Sequence, residues 1–279
     1  MDSKLVIGYP EEWQNFQERN GKFLEKFPCL LAALDAAFVR KTTVHSPADR
    51  AVFFLGRLCI EDFMEILCMA ANGYGFGAMK LVRGLYERAI TASYLSLHPN
   101  DAQGFLDWRF VSRHKTVQAY VRGGVPTEGW LKKSEEMRTT YDKIKAQYEV
   151  DDCKKCGTKR INHTWSKLDF VSMAKSTGDL GMLLGQAYYV PLNHLHSTSE
   201  ALFSRLQVST SGEIVFSKGP QPHDADVALQ IAHAIMVAVL EIQLKHFGIA
   251  ELADKFKTCA DDHVEIWSER QLGQDPSEL

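Results

Sequence analysis

The chain has 279 residues, 45% of them apolar and 24% charged, with a formal charge of -3. A chain of this size buries a substantial core without staples, and its charge gives no whole-chain pull towards nucleic acid or membrane. Its six cysteines (Cys29, Cys59, Cys68, Cys153, Cys156, Cys259) are too scattered for a disulfide scaffold, and the N-terminus has no apolar signal core. No run of about 18 apolar residues is free of charge, so no membrane partner is expected and a reducing cytoplasmic setting is the default.

Pro10 falls in the first turn of the first helix, with Glu11 and Glu12 suited to its dipole. That helix runs through Trp13, Phe16, Phe23 and Leu24, and Pro28 marks a break or kink before it resumes. Ser46-Pro47 is a start signal, a cap followed by Pro at the first helical position, for a second helix ending near Ala71. The glycine-rich stretch from Asn72 to Gly77 leads into a third helix ending at Leu97. No strand precedes this stretch, so it reads as an interhelical turn rather than a phosphate-binding loop.

The second and third helices are apolar round most of their circumference, which predicts burial. Each still carries a line of charge: Arg57, Glu61 and Glu65 on one, Lys80, Arg83 and Glu87 on the other. Helical spacing puts each trio on one face. Buried charge is costly unless paired, so the two stripes are expected to face one another or a polar partner.

A fourth helix, begun by Asn100 or Asp101, carries Trp108, Arg109 and His114 and stops at Gly123-Gly124. A charged, solvated helix follows from about Glu128 to Tyr148, and residues 149–166 read as a loop. A short helix from Leu168 to Lys175 precedes a longer one that Pro191 should interrupt. Alternation around Ser211-Gly212 predicts a small peripheral β-hairpin near residues 206–218. An apolar helix from Ala225 to Phe247 and a last amphipathic one from about Ala250 to Arg270 complete the pattern. The expectation is an all-α fold, a single multi-helix bundle over residues 1–270, with a disordered tail at 271–279.

Four groups of residues invite a chemical reading. Arg83 would hold an anionic group while Glu87 orients it or acts as base; the structural alternative is a register-fixing ion-pair layer. His194 and His196 follow the Pro191 interruption, and two residues apart on a helix they cannot share a face. Arg109 and His114 form an Arg-x4-His spacing. Cys153-x2-Cys156-Gly is half of a zinc knuckle, with His163, Asp151 or Asp152 as the residues to complete it. A second Cys pair is absent, so no cofactor is expected, with zinc the one metal this loop suggests. Glu61 and Glu65 lack the Glu-x-x-His partners of a carboxylate-bridged di-metal site.

Two resemblances follow from these residues. The Arg109–His114 spacing is similar to that of the HEPN ribonucleases, helical bundles that dimerise and cut RNA with Arg and His; here Phe110 stands where a polar residue usually follows the Arg. More of the chain, roughly residues 50–205, resembles the bacterial family of helical proteins known as DUF5677. The resemblance rests on Gly73-Tyr74, Arg83 with Glu87, Trp165-Ser166, Tyr188 or Tyr189, and His194 or His196. It implies a helical bundle with no established reaction, and it groups Arg83, Glu87 and one histidine as a single site.

Two functions remain in view. One is a HEPN-like, metal-independent ribonuclease of a phage-defence or toxin system, with RNA as substrate and a homodimer as the working form. The other is a non-catalytic helical module that binds a partner protein or a small anionic ligand, with the Arg/Glu seam structural.

Overall fold

The structure, a computed structural model, describes residues 8–39, 45–124, 128–153, 156–196 and 198–268. The tail expected at 271–279 lies outside these residues. The order is α1 (Pro10–Arg19), α2 (Gly21–Phe38), α3 (Pro47–Ala71), α4 (Gly75–Leu97), α5 (Ala102–Arg122) and α6 (Glu128–Ile144). Then come β1 (Glu149–Cys153), β2 (Thr158–Ile161), α7 (Phe170–Lys175), α8 (Asp179–Met182), α9 (Val190–Leu195) and α10 (Ser199–Phe203). Strands β3 (Leu206–Val208) and β4 (Ile214–Phe216) lead to α11 (Pro222–Phe247) and α12 (Ala253–Trp267). The fold is all-α, with only two-stranded antiparallel sheets among the described residues.

Local chemistry sets several boundaries. Ser46 Oγ accepts the Asp49 N–H at 3.0 Å and Asp49 Oδ2 accepts the Ser46 N–H at 3.1 Å, which starts α3 with two otherwise orphan donors satisfied. Asp101 does not cap α5; its carboxylate accepts the Tyr94 hydroxyl at 2.8 Å instead. The break expected at Pro28 falls at Asn20, and α2 runs on through Pro28. The reason is tertiary. Buried Asn20 donates to the Phe16 carbonyl at 3.1 Å and to Asp226 Oδ1 at 2.9 Å, while Arg19 pairs with Glu12 at 2.5 Å and Asp226 at 3.1 Å. These bonds pin the α1–α2 joint onto α11.

The core lies where α3, α4 and α11 meet. Cys59, Phe63 and Ile66 of α3, Val82, Leu85, Tyr86 and Ile90 of α4, and Leu229, Ile235, Met236 and Leu240 of α11 are all buried. Gly75 permits a close approach of α4 to α11. A Cβ there would meet the Gln221 carbonyl, and would lie 2.7 Å from Asp224 Cβ and 2.8 Å from the Ala225 nitrogen. The first turns of α4 and α11 therefore touch through backbone. Helix α11 is long and apolar enough to cross a membrane by length and composition, although Asp226 and Glu241 interrupt its uncharged run, but more than half of that window is buried in the bundle.

The expected seam between α3 and α4 is not built from the predicted stripes. Arg57, Glu61 and Glu65 are exposed, and so is Lys80. The buried charge on α3 is Asp62, which pairs with Arg88 of α4. Burial pushes the Asp62 carboxyl up from its ordinary 3.8, with Arg88 pulling the other way. Arg88→Met is expected to cost about 2 kcal/mol at neutral pH, below the range for fully buried pairs because Asp62 is not sealed from water. A carboxylate whose folded pKa is raised holds its proton more tightly folded than unfolded, so the penalty should shrink as pH falls towards 3.8. Urea midpoints at pH 7 and pH 5 would show this. An equal penalty at both would mean that Asp62 is not the cause.

Within the stretch expected as loop, Glu149–Cys153 and Thr158–Ile161 pair as strands β1 and β2. Glu149 pairs with Ile161, Asp151 with Lys159 and Cys153 with Thr158, with a bulge between Asp151 and Cys153. The hairpin expected near 206–218 is present as β3–β4, pairing Leu206 with Phe216 and Val208 with Ile214.

Candidate functional site

The site is built on one face of α4, where Phe76, Arg83 and Glu87 recur at helical spacing. Opposite lies the segment between α8 and α9. Pro191 has no N–H to give the Ala187 carbonyl, and an ordinary α-helix would press its ring against that group. The chain responds with a π-helical turn, Gly185–Tyr189, just before α9. The wider turn inserts an extra residue and re-aims the side chains around it, a distortion common at functional sites.

Tyr188 of that turn meets Arg83. The Arg83 guanidinium lies 4.4 Å from the centre of the Tyr188 ring, and Nη2 donates to the Tyr188 hydroxyl at 3.3 Å. Nε donates to Glu87 Oε1 at 2.8 Å. Arg83 is 18% exposed and Glu87 43%. The third nitrogen, Nη1, is buried and has no hydrogen-bond partner. A guanidinium held on two sides keeps one buried donor unmet, and an anion reaches that donor only when the side chains over it shift.

Phe170 of α7 stacks on Tyr188, with ring centres 4.6 Å apart, and packs edge-on against Tyr86. The Trp165-Ser166 segment places α7. Trp165 packs edge-on against Phe105 and Tyr94. Ser166 is buried, its Oγ accepts the Leu168 N–H, and its carbonyl accepts from Asn162 and Thr164. Trp165 and Ser166 thus position Arg83 at one remove, through Phe170 and Tyr188.

About two turns towards the start of α4, His194 stacks on Phe76 with ring centres 4.4 Å apart. Its Nδ1 is buried without a partner. Burial pushes the imidazole below its ordinary value and Lys80 adds to this, while Asp224 and Glu200 pull back. His194 is therefore neutral at pH 7, the form of a general base. Burial pushes the Asp224 carboxyl up, while His194, His223 and Arg205 lower it. The Arg205 guanidinium lies 5.3 Å from the Phe76 ring centre and 5.2 Å from that of Phe216.

The face thus carries two groups: Arg83 with Glu87 and Tyr188, and two turns away Phe76 with His194, Asp224 and Arg205. A family model described as a family of unknown function (DUF5677) matches residues 49–214. The chain belongs to that family. No curated protein and no solved structure matches it. The matched region of the DUF5677 chain contains Arg83, Glu87, Trp165, Ser166, Tyr188, His194 and Arg205 and ends short of Asp224.

Other predicted residues lie apart in this DUF5677 protein. His196 is exposed just past the end of α9. Arg109 is exposed and its guanidinium folds back over the neighbouring Phe110 ring at 4.5 Å. His114 instead faces α6, stacked on Tyr141 at 4.0 Å beside a cleft of about 680 Å³ that Arg138 and Lys145 also line. Five residues along a helix turn through about 500°, so the two side chains point different ways. Cys153 and Cys156 sit at the end of the β1–β2 hairpin and His163 is exposed beyond β2. Among the described residues no three His, Cys, Asp or Glu side chains gather as a metal site.

Asp224 and Arg205 were missed by sequence reasoning. Asp224 stands in the first turn after Pro222, where an acid is ordinarily read as serving the helix dipole. Arg205 follows α10 with no pattern around it. Tyr188 and Tyr189 were not separable, because the extra residue of the π-turn decides which one faces α4.

Proposed function

We propose that the α4 face is a metal-independent acid–base site for a phosphodiester, with RNA as the substrate class. What carries the reading is Arg83: held by Glu87 and Tyr188, with a buried donor left over, two turns along α4 from the Phe76 ring on which a neutral histidine stacks. Arg83 binds the phosphate and takes up the charge that grows on it in the transition state. His194 accepts the proton of the ribose 2′-hydroxyl, whose oxygen attacks phosphorus. The bond to the 5′-oxygen breaks, and that oxygen leaves with a proton from solvent. The products are a 2′,3′-cyclic phosphate and a 5′-hydroxyl. Tyr189, Phe203 and Phe216, each about half exposed or more, offer stacking surfaces for bases near the site. The chemistry is that of HEPN-type ribonucleases without the Arg109–His114 pair, and it would suit a phage-defence or toxin system.

The full-length protein, incubated with end-labelled single-stranded and hairpin RNAs, is expected to give fragments ending in cyclic phosphate. A folded wild type that cleaves none of them, as monomer or dimer, overturns the proposal. One observation favours the second reading, a non-catalytic module that binds a partner protein. Phe203, Val208, Ile214 and Phe216 form an exposed apolar surface on α10 and the β3–β4 hairpin, beside Arg205. In that case Arg83→Ala and Glu87→Ala lower the melting temperature and no turnover is found.

A further inference from the structure

We propose that the tip of the β1–β2 hairpin is half of a four-thiolate zinc site, completed by the same two cysteines of a second copy of this chain. The hairpin builds the half-site from its own geometry. Cys153 pairs with Thr158 across the last rung, and the bulge after Asp151 turns the strand end. Gly157 adopts φ +67°, which favours glycine, and its N–H donates to the Cys153 carbonyl at 3.0 Å. This bond holds Gly157, and Cys156 directly before it, beside the end of β1. Cys156 Sγ lies 3.2 Å from Thr158 Oγ1 and 4.0 Å from the Cys153 carbonyl oxygen.

The thiol chemistry agrees with the geometry. Cys156 is exposed, and the Thr158 hydroxyl 3.2 Å away is placed to hydrogen-bond its sulfur. Thiolate is the form that binds zinc, and groups that hydrogen-bond to it orient it for the metal.

A closed structural zinc site takes four ligands. Among the described residues one chain supplies two. Asp152 is engaged by Arg160 at 3.2 Å and Glu149 by Lys159 at 3.7 Å. His163 gathers with no cysteine pair among the described residues. A two-fold axis through the metal brings a second identical hairpin tip and completes the tetrahedron, a self-complementary contact of the kind that closes dimers. The proposal is independent of the RNA reading.

The test uses the full-length, reduced protein without oxygen. Zinc is titrated against a chromophoric chelator while sedimentation velocity follows mass. The expected result is about one zinc per two chains, with a dimer that forms on zinc addition and dissociates in EDTA. Cobalt(II) in its place should give the intense thiolate charge-transfer bands of a tetrahedral tetrathiolate. Cys156→Ser should lose both zinc and dimer, and His163→Ala should keep both. One zinc per chain on a monomer, loss of zinc in His163→Ala, or no zinc beyond that held by Cys153→Ser/Cys156→Ser would each overturn the proposal. An intramolecular Cys153–Cys156 disulfide that blocks zinc in the reduced preparation would do the same. Should a serine variant misfold, alkylation of the wild type decides the matter: zinc must protect Cys153 and Cys156 and leave exposed Cys68 reactive.

Discussion

Lowering the pH from 7 to 4 is expected to cost the wild-type protein about 3 kcal/mol of stability through His233 alone, and His233→Gln is expected to remove that share. His233 lies at the centre of α11, 3% exposed. Burial pushes its imidazole down to about 3, with His263 contributing from a ring centre 5.0 Å away. Its Nδ1 accepts the Trp267 indole N–H at 3.0 Å. Indole can only donate, so a proton on Nδ1 would set two N–H groups against each other in the core. The unfolded chain takes up that proton at about 6.5. A group whose folded pKa is depressed gives stability that is present above the unfolded pKa and lost as pH falls towards the folded one. Between about 6.5 and 4 that is some 2.5 units at about 1.36 kcal/mol each. Glutamine does not titrate, and its side-chain oxygen can still accept from Trp267. His263, also pushed down by burial and with Nε2 unpartnered, adds in the same direction and leaves the variant some residual acid sensitivity. Urea unfolding of both proteins at pH 7, 5.5 and 4 measures the difference. Parallel pH dependences would mean that His233 keeps its proton in the fold.

The same helix shows how far the sequence could be read. The start of α3, the apolar character of α3, α4 and α11, and the β3–β4 hairpin rest on signals within a few residues, and those signals agree with the fold. Periodicity also tells which residues share a face, but not which face is covered. Arg57, Glu61 and Glu65 share one, and it is the solvent's. Asp62 was legible in principle. It stands three residues after Cys59 and four before Ile66, inside the buried stripe, and Arg88 stands likewise three after Leu85. A charge at a core position of two neighbouring helices is a better sign of a buried pair than a charge stripe. The break at Asn20 and the choice of Tyr188 depend on contacts across more than a hundred residues, with Asp226 and Arg83 respectively. Nothing near them in the chain encodes either. The Arg83–Glu87 pair was visible because it is local, and its third partner was invisible because the π-turn breaks the 3.6-residue count.

Arg83→Lys is expected to slow RNA cleavage by about 100-fold while the protein stays folded, and His194→Asn by about 100- to 10,000-fold. The arginine effect follows from the number of donors. One guanidinium serves Glu87 and Tyr188 and keeps Nη1 for a phosphate whose binding must uncover it. An ammonium is a compact point charge without the fork, and one that stays with Glu87 cannot also place a donor where Nη1 stands. The charge is conserved, so electrostatic attraction of RNA should largely survive and the loss should fall on turnover more than on KM. Tyr188→Phe keeps the ring under the guanidinium and removes a 3.3 Å hydrogen bond, so its effect should be several-fold at most. The pH profile separates His194 from a structural role. Burial places its pKa below 6.5, so the rate should rise through that value and level off before neutrality. Asp224→Asn removes the carboxylate whose field favours the imidazolium, and the rising limb should move to lower pH. A shift in that limb with the melting temperature held constant ties the histidine to the reaction. Full activity in Arg83→Lys would return the arginine to the ordinary role of an i, i+4 ion pair on a helix, and the search for a substrate would move to the apolar surface of α10 and the β3–β4 hairpin.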